Sequence, residues 1–160
     1  MSNKEYRFTL TLNDSKEVSC FFIQHPSERI QYFITKILAY ALNYSESLKV
    51  RNQVCQGDQP ALYIDDTEGK YELWIELRLP SNKRITKALK SSKNVLVYTD
   101  KYIPQIHQMK QGNSNFSAFQ IELDFDKLSE DLQNNHIKWN IKVDHDIIQI
   151  NDTTGKLISY

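Results

Sequence analysis

The sequence predicts an α+β fold, a mixed β-sheet with flanking helices, an N-terminal hairpin and C-terminal antiparallel strands. Short segments near both ends alternate apolar and polar residues, which is the period of half-buried strands. One segment between them repeats apolar residues at spacings of three and four, which is the period of an amphipathic helix. A strand, a helix and a buried strand then follow one another between residues 71 and 98, the order of a parallel crossover. We therefore expect one domain over residues 1–160.

Composition narrows the class of protein. The chain has 160 residues, 40% of them hydrophobic, which is enough for a sizeable core. Its 20 basic and 20 acidic residues cancel, which argues against a protein that coats nucleic acid through overall charge but leaves a local basic groove open. Cys20 and Cys55 form neither a disulfide framework nor a CxxC pair. Because no signal peptide or membrane span is apparent, we expect a cytoplasmic protein without a membrane partner.

The first predicted element is a hairpin. Polar residues 13–15 supply turn chemistry between its two alternating arms. The apolar positions of these arms are Tyr6, Phe8, Leu10 and Leu12, followed by Val18, Cys20 and Phe22.

A helix of about 18 residues is predicted next. His25 stands at its expected N-cap, Pro26 at its first position and Glu28 in its first turn. The apolar stripe contains Ile30, Phe33, Ile34, Ile37, Leu38, Ala41 and Leu42. Glu28 has two interpretations, a first-turn acid favoured by the helix dipole or a member of a functional site.

A second hairpin occupies the middle of the chain. Two apolar-rich segments, Ala61–Ile64 and Tyr71–Leu79, flank a polar segment that ends at Gly69, so we predict a four-residue loop at positions 66–69. A short strand around Leu48–Val50 precedes it. Strand alternation then places Glu76 and Arg78 on one face of the second arm.

The predicted register brings charged groups to the open end of this hairpin. With residue 65 opposite residue 70, Gln59 lies opposite Glu76. Pro60 cannot donate to a strand ladder, so Asp58 can leave the strand there and approach Glu76.

The second half of the chain continues the mixed pattern. Ser81 or Asn82 caps a predicted helix, Lys83–Ser91, whose basic residues form either a solvated face or a phosphate-binding face. These residues, with one just beyond the helix, are Lys83, Arg84, Lys87, Lys90 and Lys93. Later strands are predicted at Val95–Tyr98, Phe116–Leu123, Ile137–Val143, Ile147–Ile150 and Leu157–Tyr160, with helices within Lys101–Lys110 and at Asp126–Leu132.

The acidic pattern of the central hairpin resembles the active site of PD-(D/E)XK nucleases. Asp58 precedes the hairpin, and Glu76 stands two residues before the cation Arg78. Mg²⁺ prefers oxygen ligands and is often held by one or two carboxylates with water and phosphate. Such an ion polarises a phosphoryl oxygen and acidifies a bound water.

Four segments resemble the YaeQ family of small bacterial proteins: His25-Pro26-Ser27-Glu28, Asp58-Gln59-Pro60-Ala61-Leu62, Leu73-Trp74-Ile75-Glu76-Leu77 and Arg84-Ile85-Thr86-Lys87-Ala88. The similarity extends with distinctive motifs from about Phe21 to Tyr98, and more loosely through the order of strands and helices to the C-terminus. It implies a variant of the PD-(D/E)XK nuclease fold in a cytoplasmic protein without an established activity. The chain departs from the family pattern in having Gln59 where glutamate is usual and Arg78 where glycine is usual, and it lacks a tryptophan-rich patch near residues 106–108.

Two functions follow as alternatives. An enzyme is expected to hydrolyse nucleic-acid phosphodiesters, with Asp58 and Glu76 holding Mg²⁺ and Glu28 assisting them. Arg78 or Lys87 is then expected to stabilise the charge that develops on the phosphate. The substrate is expected to contact Gln59, Trp74 and Arg84. The other function is a non-catalytic binding or accessory module for a nucleic-acid or protein partner. Burial of either carboxylate in an ion pair with Arg78 or Arg84 favours this second function.

Overall fold

The computed structural model describes residues 2–52 and 59–160, so the predicted metal ligand Asp58 lies outside the described residues, as does Cys55. The strands are β1 (Lys4–Leu12), β2 (Lys16–Gln24), β3 (Lys49–Val50), β4 (Leu62–Asp65), β5 (Tyr71–Leu77), β6 (Ser92–Thr99), β7 (Phe116–Glu122), β8 (His136–Asp144), β9 (Ile147–Ile150) and β10 (Thr153–Ser159). The helices are α1 (Ile30–Leu42), α2 (Asn82–Ser91), α3 (Ile106–Lys110) and α4 (Phe125–Ser129), and a 3₁₀ turn covers Glu130–Gln133.

The ten described strands form one mixed sheet in the order β2-β1-β8-β9-β10-β7-β6-β5-β4-β3. Strands β5, β6 and β7 are parallel, and α2 is the crossover between the first two of them. Strand β1 pairs in parallel with β8, which joins the N-terminal hairpin to the C-terminal antiparallel strands. This arrangement confirms the α+β class. None of the described helices combines the length and the apolar character needed to cross a membrane.

Helix α1 starts later than its sequence pattern predicts. Residues 25–28 form a turn in which Glu28 N donates to the His25 carbonyl at 2.9 Å. The Glu28 carboxylate, through Oε1, accepts from His25 N at 2.9 Å. These bonds imitate a helical capping box, but Arg29 is the N-cap and the helix has 13 residues.

The register of the central hairpin also differs from the prediction. Asp65 pairs with Tyr71 instead of Lys70, so the loop between the paired residues is one residue longer than expected, and the pairing shifts again between Ile64 and Asp65. Leu62 therefore lies opposite Ile75, two residues away from the predicted partner. A bulge adds a residue to one strand and changes every pairing beyond it, so the prediction that Gln59 lies opposite Glu76 is wrong.

Two predictions for the C-terminal half also differ from the structure, the cap of α4 and the start of β10. Asp124, rather than Asp126, caps α4, since its side chain accepts from Lys127 N at 3.0 Å. Strand β10 begins at Thr153, before the predicted start at Leu157, because Thr153 already pairs with Ile150 across a tight turn.

The sheet curls around α1. Eight of the 13 residues of this helix are buried, so it has no wide solvent-facing side. The two edges of the sheet are linked by Asn52, which follows β3. Its Oδ1 accepts from Ile23 N at 3.1 Å, and its Nδ2 donates to the Phe21 carbonyl at 3.2 Å. One amide side chain thus covers part of the open edge of β2, where unpaired backbone groups favour association.

Side chains from the two faces of the sheet enter two separate cores. The larger core surrounds α1 and includes Ile75 and Leu77 from β5. The smaller core lies beneath α2 and α3 and includes Trp74 from the same strand. Alternating residues of β5 therefore face opposite sides of the sheet.

Gly155 of β10 provides a test of this packing. A Cβ at this position lies 2.1 Å from the Glu122 carbonyl oxygen and 2.4 Å from Leu123 Cδ2. We expect Gly155→Ala to lower the free energy of unfolding by about 1–3 kcal/mol, because the neighbouring backbone must move. Urea unfolding followed by circular dichroism measures the change. A control is Gly112→Ala, where a Cβ meets nothing within 4 Å but strains a positive φ. Because that strain alone costs about 1–2 kcal/mol, the prediction is contradicted by a Gly155→Ala loss below about 1 kcal/mol rather than by comparison of the two losses.

Candidate functional site

Glu76 is a buried carboxylate on the α2 face of β5, 5% exposed as a residue. Its Oε1 accepts from Trp74 Nε1 and from Arg84 Nε, both at 2.7 Å. Burial raises the pKa of Glu76, and the charge and hydrogen bond of Arg84, the hydrogen bond of Trp74 and the charge of Arg78 oppose that rise. The carboxylate is therefore held in an ion pair within the protein.

Arg84 connects this ion pair to the start of the hairpin. Its Nη2 donates to the Gln59 carbonyl, while its Nε holds Glu76. The structure thus brings together four of the residues predicted from the sequence: Gln59, Trp74, Glu76 and Arg84. Gln59 follows Asp58 in the sequence, and Asp58 lies outside the described residues.

Arg78 does not continue the face of Glu76, so the prediction that they share a face is wrong, although the charge of Arg78 still acts to lower the pKa of Glu76. Strand β5 ends at Leu77, and Arg78 has a φ of 68°, which breaks the alternation. Arg78 N donates to the Tyr98 carbonyl at 2.7 Å, and its guanidinium lies 5.3 Å from the centre of the Tyr32 ring. The positive φ directs this side chain towards α1.

Glu28 belongs to a second buried ion pair, on the α1 side. Its Oε2 lies 2.8 Å from Nζ of Lys36, whose side chain is 4% exposed. The Lys36 ammonium also lies 5.7 Å from the Tyr32 ring centre and 5.6 Å from that of Phe33. Burial of a lysine requires such a partner.

A cavity of about 590 Å³ opens beside α1. Its charged lining comprises Glu28, Arg29, Lys36, Arg51, Arg78, Asp100 and Lys101. The two acids are paired, Glu28 with Lys36 at 2.8 Å and Asp100 with Arg29 at 3.8 Å. Within residues 2–52 and 59–160, no carboxylate lies within ion-pair distance of the three remaining cations, Arg51, Arg78 and Lys101. The cavity is therefore locally positive although the whole chain has a net charge of zero.

Residues 100–105 form one wall of this cavity. The Tyr160 hydroxyl accepts from Ile103 N at 2.9 Å and donates to the Lys101 carbonyl at 3.1 Å. The Tyr160 ring stacks on Tyr102, with centroids 5.7 Å apart and planes 10° from parallel. These contacts hold the wall in place.

The described carboxylates do not fit a shared Mg²⁺ site. Glu76 faces α2 and its Oε1 already accepts two hydrogen bonds, whereas Glu28 lies in the α1 cavity with Lys36. No group of three or more histidine, cysteine, aspartate or glutamate side chains that can hold a metal occurs in the part of the chain that the structure describes. Lys87 is exposed on α2. The structure therefore separates Glu28 and Arg78 from the other described members of the predicted site, which lie on the α2 side of the sheet.

Sequence reasoning missed the cavity and most of its lining. Lys36 stands within the apolar segment Ile34–Leu38, and a charge there in a helix buried on most sides is a signal that the sequence does contain. Arg29, Tyr32 and Lys36 follow the spacing of one helical face. By contrast, no local pattern relates Arg51 or Lys101 to that face.

Arg78 provides a prediction about backbone conformation. Glycine adopts a positive φ without strain, whereas a residue with a Cβ is disfavoured there by about 1–2 kcal/mol. We therefore expect Arg78→Gly to be at least as stable as Arg78→Ala, with a difference of about 1 kcal/mol in favour of glycine after its unfolded-state entropy is deducted. Urea unfolding of the two variants measures this difference, and a more stable alanine variant contradicts the positive φ.

Relatives of known sequence share part of this chain. This chain is 30% identical to the uncharacterized protein YaeQ of Escherichia coli over 90 aligned residues. The aligned region covers 56% of this chain and 50% of that protein. The uncharacterized protein YaeQ of Salmonella typhi is 29% identical over 75 residues, covering 47% of this chain and 41% of that protein. The chain thus matches about half the length, or less, of these curated relatives.

Solved structures match nearly the whole fold. The crystal structure of the YaeQ protein from Xanthomonas axonopodis pv. citri superposes with a TM-score of 0.82 and 22% identity, covering 99% of this chain and 98% of that one. The crystal structure of the YaeQ protein from Pseudomonas syringae superposes with a TM-score of 0.79 and 20% identity, covering 99% of this chain and 94% of that one. The profile described as YaeQ protein matches residues 5–159. The chain therefore belongs to the YaeQ family.

Proposed function

We propose that this protein is a non-catalytic binding protein on a scaffold related to the PD-(D/E)XK nuclease fold, and that it binds an anionic ligand in the cavity beside α1. The observation that carries this proposal is the local excess of positive charge. Arg51, Arg78 and Lys101 line one cavity, and both acids among its described lining residues are paired. A cleft lined by one sign of charge attracts ligands of the opposite sign.

The position of Glu76 supports binding over Mg²⁺-dependent phosphodiester hydrolysis. A metal-binding carboxylate must present oxygen to the ion, and one of the two Glu76 oxygens, Oε1, is already occupied by Trp74 and Arg84. The cationic cavity lies on the other face of the sheet, where Glu28 is paired with Lys36. A ligand phosphate in the cavity therefore meets arginine and lysine side chains, with the Glu76 ion pair facing α2.

Calorimetric titration with inorganic pyrophosphate tests the proposal. We expect wild type to bind, and Arg78→Gly to bind about tenfold more weakly or worse, because a charged hydrogen-bond donor is lost. Lys83→Ala is the matched control, since Lys83 is exposed on α2 and does not line the cavity. Absence of pyrophosphate binding by wild type, or equal binding by Arg78→Gly, overturns the proposal.

Titration of Mg²⁺ and Mn²⁺ separates the two functions. The binding function predicts the same heats for wild type and Glu76→Gln, because Glu76 is engaged by Arg84. Metal binding in wild type that is lost in Glu76→Gln contradicts the non-catalytic function. Such a result would justify assays of DNA and RNA cleavage.

A further inference from the structure

We infer that the ligand of the α1 cavity is a nucleotide unit, with its planar base against Tyr102 and its phosphates against Arg78 and Arg51. This inference rests on the proposed anion-binding function and assigns a chemical class to the ligand. The same chemistry is found in a free nucleotide and in the phosphorylated terminal nucleotide of a nucleic acid strand.

The aromatic lining indicates a planar ligand. Tyr32, Tyr98 and Tyr102 all line the cavity. Tyr102 is 57% exposed, the largest fraction among the exposed large hydrophobic residues of the described chain. One side of its ring is supported by Tyr160, with planes 10° from parallel. A rigidly supported and exposed aromatic ring is a surface on which a nucleobase stacks.

The two arginines are already positioned for phosphate. The Arg78 guanidinium lies 5.3 Å from the Tyr32 ring centre, and that of Arg51 lies 4.8 Å from the Tyr63 ring centre. Arg51 Nε also donates to the Pro60 carbonyl at 3.2 Å. The contact with a tyrosine ring restricts the orientation of each guanidinium group but leaves N–H donors that can bond to ligand oxygen atoms. The planar guanidinium group also matches the geometry of phosphate. Less conformational freedom is then lost when an anion binds.

The backbone of Arg78 supports a functional role for its side chain. Its φ of 68° is a conformation that residues other than glycine rarely adopt. Strain of this kind is concentrated at ligand sites, where the surrounding structure maintains it. Arg78 N, bonded to the Tyr98 carbonyl at 2.7 Å, holds the residue at the cavity wall.

The volume of the cavity limits the size of the ligand. About 590 Å³ lies within the range of small-molecule sites. One nucleotide with its phosphates matches this volume, whereas a longer segment of a strand has to continue outside. The recognised unit is therefore a single nucleotide.

Calorimetric titration with a graded set of probes tests the inference. The probes are adenosine, pyrophosphate, adenosine diphosphate, and a short single-stranded DNA with or without a 5′-phosphate. We expect adenosine diphosphate to bind about tenfold more tightly than pyrophosphate, because stacking of the base adds to phosphate recognition. Adenosine alone should bind more weakly than either.

Two variants separate the base from the phosphates. Tyr102→Leu should reduce the affinity for adenosine diphosphate to that for pyrophosphate, and leave pyrophosphate binding unchanged. Arg78→Gly should weaken both. Phe21→Leu, a change at an aromatic residue that is 38% exposed and outside the cavity, should alter neither. Retained pyrophosphate binding also shows that the Tyr102 variant is folded.

The outcomes distinguish this inference from the proposed function. Pyrophosphate bound as tightly as adenosine diphosphate overturns the nucleotide assignment and leaves anion binding intact. Absence of binding by both overturns the two proposals together. Tight binding of 5′-phosphorylated DNA supports the end of a strand as the source of the nucleotide, and preference for adenosine diphosphate over that DNA supports a free nucleotide.

Discussion

Arg84→Met is expected to lower the free energy of unfolding by about 3–5 kcal/mol, the usual loss when one partner of a buried ion pair is removed. The Arg84 side chain is 18% exposed and that of Glu76 7%, so water replaces little of the lost interaction. Methionine retains most of the aliphatic volume but leaves Glu76 with Trp74 as its remaining partner in the hydrogen bonds described above. Urea unfolding followed by circular dichroism measures the loss.

A double-mutant cycle attributes this loss to Glu76. In Glu76→Gln the amide oxygen can still accept from Trp74 Nε1, so the single change should be milder. In the Glu76→Gln background, Arg84→Met should then lower the free energy of unfolding by a smaller amount than in wild type. The expected coupling energy is about 2 kcal/mol. If Arg84→Met lowers the free energy of unfolding equally in both backgrounds, the ion pair with Glu76 is not the cause of the loss, and other contacts of Arg84 are.

The same pair predicts a pH dependence. Burial raises the pKa of Glu76 above its ordinary value of 4.5 in the folded protein. The folded state therefore favours the protonated carboxyl, and this contribution to stability is present below pH 4.5 and is lost as the pH rises through the raised pKa. Wild type should lose stability relative to Glu76→Gln over that interval. A stability difference that does not change with pH contradicts the raised pKa.

Lys36→Met is the second substitution with a large expected effect, about 3 kcal/mol or more of unfolding free energy. The change removes the ammonium that lies 2.8 Å from Glu28 Oε2, an oxygen that makes no hydrogen bond within the described residues. Methionine fills a similar volume, so the expected loss comes from the carboxylate rather than from a void. Thermal and urea unfolding both measure it.

Lys93→Met is the matched control for this prediction. Lys93 Nζ lies 2.9 Å from Glu72 Oε2, but the two side chains are 64% and 46% exposed. Exposed ion pairs contribute little because water and salt screen them, so we expect no measurable change in the unfolding midpoint. If Lys36→Met proves as mild as this control, the burial of the Lys36 ion pair is not what stabilises the cavity.

The separation of Glu28 from Glu76 changes how the predicted acidic set is understood. The resemblance to the nuclease pattern suggested that the carboxylates act together, but each of these two is paired with a cation on its own side of the sheet. Fold alone does not establish activity. The cationic cavity, which is lined by Glu28 and Arg78, is the site that we propose for a ligand.

Much of the fold follows from local sequence patterns. Alternation of apolar residues predicts the N-terminal hairpin and the C-terminal strands, because the period of two is set by the strand itself. The helix after Ser81 is also predicted, and Ser81 Oγ accepts from Arg84 N at 3.1 Å as a cap. The parallel crossover between β5 and β6 follows from the order of elements along the chain.

Local patterns along the chain are therefore sufficient to predict most of the strands and helices, the crossover, and the acidic and basic residues from which a site can be built. Which of these residues contact one another depends on the folded arrangement of the strands. Pairing of β1 with β8, the bulge after Ile64 and the positive φ of Arg78 depend on contacts between distant segments and on single backbone angles. A hydrophobic period states which side chains share a face but not which strand lies beside it, and for that reason the cavity around Lys36 could be recognised only in the folded chain.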